Sequence, residues 1–125
     1  MERVVATNGV VFYRSELIPC PHGFSTRIGG ISKLPHTAGL NLGLDRGDEL
    51  DTVLENLSLF SEAVGFCKEQ IISVPQIHSD KIRYVRAENC GEGILRAATE
   101  ACDGYITDKA GVALGIRTAD CVPNW

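Results

Sequence analysis

The sequence predicts an α+β domain in which mixed β-sheets are flanked by helices. One stretch, at about residues 49–64, repeats its apolar side chains at helical spacing. Five shorter runs are rich in β-branched or aromatic residues and are separated by turn-forming residues, which is the pattern of short strands. Hydrophobic residues make up 44% of the chain and charged residues 22%, a balance typical of a protein with a packed core.

The helix at about residues 49–64 is the clearest predicted element. Asp48 is a suitable N-cap, Glu49 and Asp51 place negative charge in the first turn, and Gly65 suits the position after the last turn. The apolar residues that recur every three or four positions form one broad face: Leu50, Val53, Leu54, Leu57, Phe60, Ala63 and Val64.

The remaining elements are predicted to be short strands joined by loops. Residues 108–111 have the composition of a hairpin turn between the last two strands, and residues 88–101 are predicted to be a loop or to carry a short helix. The predicted strands are residues 10–13, 71–74, 82–85, 104–107 and 112–118.

Length and composition limit the number of domains and the kinds of partner that are possible. A length of 125 residues predicts a single domain over residues 1–125. The last predicted strand is followed by only a few residues, so we expect the chain to be incomplete at its C-terminus and to form the N-terminal half of a larger domain. The net charge of −4, with mixed signs, argues against nucleic-acid binding.

The N-terminal residues and the cysteines predict the cellular compartment of the protein. Residues 1–5 contain no apolar signal core, and no apolar run is long enough to span a membrane, so we expect a soluble cytoplasmic protein. The five cysteines are odd in number, widely spaced and without a CxxC pair, which argues against a disulfide framework. We interpret four of them as packing residues, and Cys121 stands apart because it follows a predicted strand and Asp120.

His78 and Cys121 are the strongest candidates for chemistry. His78 follows an apolar strand, where an imidazole could act as a zinc ligand or a general base, or form part of an ordinary hydrogen-bonded surface. Cys121 could bind a metal, act as a nucleophile or be a buried structural thiol. Arg27 lies beside two hydroxyl residues and a diglycine, which suits anion binding but also fits a turn with a solvated arginine.

Several local motifs occur in an order that resembles one family. Residues 22–30 read His-Gly-Phe-Ser-Thr-Arg-Ile-Gly-Gly, and residues 40–43 read Leu-Asn-Leu-Gly with a Gly-Asp pair at 47–48. Gln-Ile-His follows at 76–78 and Thr-Ala-Asp-Cys-Val-Pro at 118–123. With these motifs the chain resembles the YfiH-like family of purine nucleoside phosphorylases, once described as multicopper polyphenol oxidoreductases or laccases, from about residue 20 to 123.

The resemblance implies a zinc site and two substrate-binding residues. It assigns His78 and Cys121 as zinc ligands, with a third ligand from a later Ala-His-Ala-Gly-Trp segment that this chain lacks, and it places Arg27 and Asn41 near the substrate. Three protein ligands with one open position are typical of catalytic zinc. The implied activities are phosphorolysis of adenosine, inosine, guanosine and methylthioadenosine, a transferase reaction, and deamination of adenosine, a hydrolase reaction. The implied partners are therefore a purine nucleoside and phosphate.

Three other functions stay open at this point. A cofactor-free hydrolase would use Cys121 as nucleophile and His78 as base. A non-catalytic fragment or binding module is the second alternative, because a site with two of its three ligands should hold zinc weakly. We expect little or no phosphorylase activity from this chain alone. A copper polyphenol oxidase is disfavoured, since the chain has three histidines and no His-x-His pair.

Overall fold

The computed structural model describes residues 1–44 and 46–118, which divide into two compact units. The first unit is residues 1–68, and the second begins at Glu69. Short antiparallel and parallel sheets together with one long helix confirm the predicted α+β class. Within the described ranges, no helix is long and apolar enough to cross a membrane.

The first unit is built on a three-stranded antiparallel sheet. Strand β1 (Glu2–Val5) pairs with β2 (Val11–Arg14), and β2 pairs with β3 (Phe24–Ser25). The sequence predicted β2 one residue early and missed β1 and β3. Strand β1 alternates half-buried and exposed residues over only four positions, and β3 has two residues, so neither carries a clear periodic signal.

The predicted helix is present as α1 (Leu50–Val64), with two corrections at its start. The N-cap position is Glu49 rather than Asp48, and no side chain caps the helix there. Leu50 was assigned to the apolar face, but it is 57% exposed. The C-terminus is as predicted: Gly65 adopts a left-handed conformation with φ of 118°, and its N–H donates to the carbonyl of Ser61.

The first unit packs apolar side chains of its loops and sheet against α1. Val10, Phe12 and Leu40 form its buried cluster, and the Phe12 and Phe60 rings meet edge to face with centroids 6.4 Å apart. Two of the four buried residues of α1 are polar: Asn56 and Ser61. The helix therefore buries two polar side chains that its apolar periodicity did not reveal.

The second unit contains two pairs of parallel strands. Strand β4 (Ile71–Ile72) pairs with β7 (Ala113–Leu114), and β5 (Ile82–Tyr84) pairs with β6 (Gly104–Ile106). The predicted hairpin across residues 108–111 is therefore wrong, because the strands on its two sides belong to different sheets. Turn composition indicates that the chain bends there, but it carries no information about the partner of each strand.

The core of the second unit is small and contains one of the cysteines. Ile72, Val74, Val85 and Cys102 are each at most 1% exposed. The N–H of Val74 donates to the Tyr105 hydroxyl at 2.8 Å, and burial raises the pKa of that hydroxyl to about 12. The interpretation of four cysteines as packing residues holds for Cys102 alone, since the others are exposed or half-buried.

A carboxylate, Glu92, lies fully buried in the loop after β5. Its oxygens accept hydrogen bonds from both terminal nitrogens of Arg83 at 3.0 and 3.1 Å. Asn89 donates to one oxygen at 2.9 Å, and the N–H and hydroxyl of Thr99 both donate to the other at 2.9 Å. These donors, Arg83 foremost, lower the pKa of Glu92 to about 2, so the buried group is an ion pair.

Candidate functional site

His78 lies on an exposed loop that follows β4. Its backbone has φ of 57°, which makes it the one non-glycine residue with a left-handed backbone in the described ranges. No hydrogen-bond partner for its imidazole occurs among the residues that the structure describes. The ring is therefore available to a ligand, while the backbone conformation that sets its direction is an uncommon one.

The carboxylate of Asp103 fixes this loop. One of its oxygens accepts hydrogen bonds from the backbone N–H groups of Ile77 and His78, at 3.0 and 2.9 Å. The other accepts from both the N–H and the hydroxyl of Ser79, each at 2.8 Å. These hydrogen bonds, with the Ser79 N–H contributing most, lower the pKa of Asp103, and the group stays ionised near neutral pH.

Gln76 joins the loop to the segment that leads towards Cys121. Its side-chain nitrogen donates to the carbonyl of Arg117 at 2.9 Å, and its side-chain oxygen accepts from the N–H of Arg117 at 2.8 Å. The amide thus pairs with this backbone as a neighbouring strand would. Cys121 itself lies outside the described residues, so its predicted role remains a prediction.

In the first unit, Arg27 is held by its backbone and presents an exposed guanidinium. Its carbonyl accepts from the N–H of Leu40 at 2.8 Å, and the preceding hydroxyl, Thr26 Oγ1, donates to the carbonyl of Val11 at 2.6 Å. Among described residues the guanidinium has no hydrogen bond or ion pair. The backbone of Arg27 is fixed by hydrogen bonds, while its guanidinium is exposed and has no partner among the described residues, as an anion-binding arginine requires.

The diglycine after Arg27 has a packing role. A Cβ at Gly29 would lie 2.4 Å from the Cα of Val10, and one at Gly30 would lie 2.3 Å from the carbonyl oxygen of Gly39. The sequence had suggested that this diglycine suits anion binding. In the structure, the chain's own backbone occupies the space that the missing side chains leave.

Arg27 and Asn41 line one open cleft of about 280 Å³ in the first unit. The side-chain oxygen of Asn41 accepts from the N–H of Gly43 at 3.0 Å, and its nitrogen donates to Asp48 at 3.2 Å. Its amide is therefore partly engaged in holding the loop. The predicted substrate-binding pair does share a cleft, whose other lining residues are Pro35, His36, Thr37, Ala38 and Leu40.

Asn56 connects this loop region to the helix. Buried on α1, it accepts from the N–H of Ile31 at 2.8 Å and donates to Ser32 Oγ and to the Asn41 carbonyl, each at 2.9 Å. The hydroxyl of Ser32 in turn donates to Asp48, and that hydrogen bond is the largest cause of the lowered pKa of Asp48. Asn56, Ser32, Asp48 and Asn41 thus form a hydrogen-bonded network next to the cleft.

The other two histidines have partners in loops. In His22, Nε2 accepts from the N–H of Ser15 at 2.9 Å, and Nδ1 lies 2.7 Å from the carbonyl oxygen of Cys20. In His36, Nε2 lies 2.9 Å from the carbonyl oxygen of Arg46. Both rings therefore stabilise loop conformations, in contrast to the imidazole of His78.

No group of three or more His, Cys, Asp or Glu side chains suited to a metal occurs in the described part of the chain. His78 is the one member of the predicted ligand pair that the structure describes.

Sequence inspection missed Asp103, Asn56 and Glu92 as organising residues. The partners of Asp103 lie 24 to 26 residues away in the chain and those of Asn56 up to 25, so no short motif reveals these two residues. The partners of Glu92 lie three to nine residues away, but they are contacts of a folded loop rather than of a regular repeat.

Comparisons with known proteins agree with the motifs. A family model described as multi-copper polyphenol oxidoreductase laccase matches residues 21–124. A purine nucleoside phosphorylase of Deinococcus radiodurans is 36% identical over 115 residues, covering 92% of this chain and 41% of the relative. The purine nucleoside phosphorylase YlmD of Geobacillus stearothermophilus is 39% identical over 103 residues, covering 81% of this chain and 37% of the relative.

Solved structures extend the agreement to the fold. The crystal structure of YlmD from Geobacillus stearothermophilus has a TM-score of 0.71 at 35% identity, covering 90% of this chain and 38% of that one. The Bacillus licheniformis hypothetical protein YfiH has a TM-score of 0.72 at 23% identity, covering 95% of this chain and 45% of that one, and it supports the fold alone. The chain spans about two fifths of the length of these relatives, and it belongs to the multi-copper polyphenol oxidoreductase laccase family, whose curated relatives here are named purine nucleoside phosphorylases.

Proposed function

We propose that this chain contributes part of the active site of a zinc-dependent purine nucleoside phosphorylase. In this proposal His78 and Cys121 are two of three zinc ligands, and Arg27 and Asn41 bind the substrates. The substrates are phosphate and a purine nucleoside, namely adenosine, inosine, guanosine or methylthioadenosine, with deamination of adenosine as a second activity. The names of the curated relatives support the phosphorylase class.

The observation that carries the proposal is the pair of hydrogen bonds between Gln76 and the backbone of Arg117. Gln76 is two residues before His78, and Arg117 is four residues before Cys121. Gln76 therefore joins the loop that carries His78 to the segment that precedes Cys121 in the chain.

The donor set fits zinc. The His78 imidazole is exposed and has no hydrogen-bond partner among described residues, so a metal could reach it without breaking an existing contact. Imidazole and thiolate are the ligands that zinc most often takes in proteins. The family description names copper, but a multicopper centre needs many histidines, and this chain has three, of which two are engaged in loops.

Arg27 supplies the chemistry that phosphate needs. A guanidinium pairs with two phosphate oxygens at once, and that of Arg27 is exposed at the edge of the cleft. Holding phosphate there would orient one oxygen for attack on the ribose C1′. A C–O bond forms, the bond from C1′ to the purine breaks, and the electron pair leaves with the base, which takes up a proton. Bound zinc would polarise a substrate group or lower the pKa of a water molecule.

We place the enzyme in the cytoplasm. The four described cysteines form no disulfide, and two of them are exposed, which suits a reducing compartment. Exposed thiols in an oxidising compartment would be open to mixed disulfides.

A chimera tests the proposed function. The first two fifths of the Geobacillus YlmD enzyme would be replaced by this chain, so that the relative supplies the remaining ligand. We expect phosphate-dependent release of adenine and ribose 1-phosphate from adenosine, measured by chromatography. The 125-residue chain alone should release little or none, because each missing ligand lowers zinc affinity.

Matched variants make the chimera decisive. His78→Ala and Cys121→Ala should each abolish the release and lower the zinc content, whereas Cys20→Ala, which removes an exposed cysteine elsewhere, should change neither. Activity that survives a chelator and depends on Cys121 would instead favour a cysteine hydrolase. A folded chimera that holds zinc but releases no base in phosphate would contradict the phosphorylase proposal.

A further inference from the structure

We propose that Asp103 is a positioning residue that fixes the direction of the His78 imidazole by holding the loop of residues 77–79 in one conformation. The inference rests on the proposed function for the ligand that His78 takes, but its structural basis is independent of that function. Asp103 does not touch the metal or the substrate in this proposal. It acts through the backbone of His78.

The backbone of His78 has an uncommon conformation. A left-handed conformation costs a non-glycine residue about 1–2 kcal/mol relative to its preferred conformations, so it persists only where contacts offset that cost. Three successive N–H groups, those of Ile77, His78 and Ser79, point to one carboxylate. Hydrogen bonds to an ionised acceptor are stronger than those to a neutral one. Asp103 is therefore the group that offsets the strain.

Hydrogen bonds to other segments of the second unit hold the backbone around Asp103. It directly precedes β6 and follows Cys102, which is fully buried in the core of the second unit. The N–H of Asp103 donates to the carbonyl of Lys81 at 3.0 Å, and the N–H of Cys102 donates to the carbonyl of Pro75 at 3.3 Å. The carboxylate thus belongs to the packed part of the unit, and it transfers that rigidity to an otherwise exposed loop.

The hydrogen bonds of Asp103 leave its carboxylate no free position for metal ligation or proton transfer. An ionised carboxylate offers about four lone-pair positions. Asp103 fills four of them, with three backbone N–H groups and the Ser79 hydroxyl. A metal or a substrate proton would have to displace one of these hydrogen bonds. The geometry therefore favours positioning over ligation or proton transfer.

The test measures zinc affinity and loop order together in the chimera described above, in which the Geobacillus relative supplies the remaining proposed ligand. Asp103→Ala removes all four contacts, and we expect it to weaken zinc binding by about 10–100-fold, the usual effect of losing a partner that orients a ligand. Zinc affinity would be measured by competition with a chromophoric chelator, and amide hydrogen exchange would follow Ile77, His78 and Ser79. We expect their exchange to become fast in the variant.

Three variants separate positioning from a general loss of structure. Asp103→Asn keeps one acceptor oxygen for Ile77 and His78 but sets an amide donor against the Ser79 N–H, so an intermediate loss of affinity is expected. It decides the matter if Asp103→Ala does not fold. Ser79→Ala removes the hydroxyl contact with Asp103 and the hydrogen bond that the hydroxyl accepts from the N–H of Lys81, and it should weaken zinc binding less than Asp103→Asn. Asp80→Ala removes the same charge from an exposed neighbour and should behave as the wild type.

The outcomes separate this inference from the proposed function. Unchanged zinc affinity in both Asp103 variants, against a wild type that binds zinc, would overturn the inference alone. If His78→Ala has no effect on zinc binding by the chimera, the proposed function is contradicted, and amide exchange then decides the inference. In that case fast exchange at all three amides in Asp103→Ala supports it, and slow exchange overturns it.

Discussion

Glu92 and Asp103 are both carboxylates of the second unit, and each accepts several hydrogen bonds, but they lie in different surroundings. Glu92 is fully buried and takes its donors from three side chains and one backbone N–H, with Arg83 as its ion-pair partner. Asp103 is half-buried and takes three of its four donors from the backbone of one loop. No cation pairs with Asp103 among the described residues.

The two carboxylates contribute to the unit in different ways. A buried ion pair must be kept whole, since removing one partner leaves the other as an uncompensated charge in the core. A carboxylate bonded to backbone N–H groups at the surface selects one conformation of a short segment, and water can replace it at modest cost. We therefore expect Glu92 to govern the stability of the unit and Asp103 to govern the geometry of the site.

Breaking the buried ion pair between Arg83 and Glu92 should lower stability more than any other change considered below. Glu92→Ala should lower the free energy of unfolding by about 3–5 kcal/mol, because Arg83, whose side chain is 10% exposed, loses its counter-charge. Urea denaturation followed by circular dichroism measures this. Glu88→Ala, at an exposed position of the same loop, should change stability by less than about 0.5 kcal/mol. A similar small change for Glu92→Ala would remove the contrast with Asp103.

Acid should reveal the same pair through its linkage to protons. The pKa of Glu92 is about 2 in the folded chain and 4.5 in its ordinary state, so the unfolded chain binds a proton first as the pH falls. The stabilisation is complete above pH 4.5 and is lost as the pH falls towards 2. Glu92→Gln should therefore show a flatter dependence of unfolding free energy on pH in this range. An unchanged slope would mean that Glu92 does not carry this linkage.

A smaller change in stability, and the one that bears most directly on the site, is expected for Gln76. Gln76→Ala removes both hydrogen bonds to Arg117 and should cost about 1–2 kcal/mol of stability. It should also weaken zinc binding, because the link between the His78 loop and the segment that precedes Cys121 is lost. Chelator competition and thermal unfolding measure the two effects.

A second glutamine of the same unit serves as the control for Gln76. The side-chain nitrogen of Gln70 donates to the carbonyl of Gly111 at 3.1 Å. Gln70→Ala should lower stability without changing zinc affinity. Equal losses of zinc affinity in the two variants would show that the Gln76 effect is a general loosening of the unit.

Local patterns predicted the elements better than their pairing. The apolar repeat of α1 located the helix to within one residue, and Gly65 marked its end. The runs at β5 and β6 were also located, but the hairpin expected after β6 was replaced by two parallel pairs. Strand composition reports that a segment is extended and partly buried, whereas its partner is chosen by which apolar faces the whole chain can cover.

The family, the position of α1 and the candidate residues His78, Cys121, Arg27 and Asn41 could be predicted without a structure, because short motifs and an apolar repeat carry this information. The residues that hold His78 and Asn41, and the partner of Gln76, came only from the fold. Asp103 reaches His78 from 25 residues away, Gln76 reaches Arg117 from 41, and Asn56 reaches the carbonyl of Asn41 from 15. Hydrogen bonds of this kind depend on folded backbone geometry rather than on residue order, so only the fold could place them.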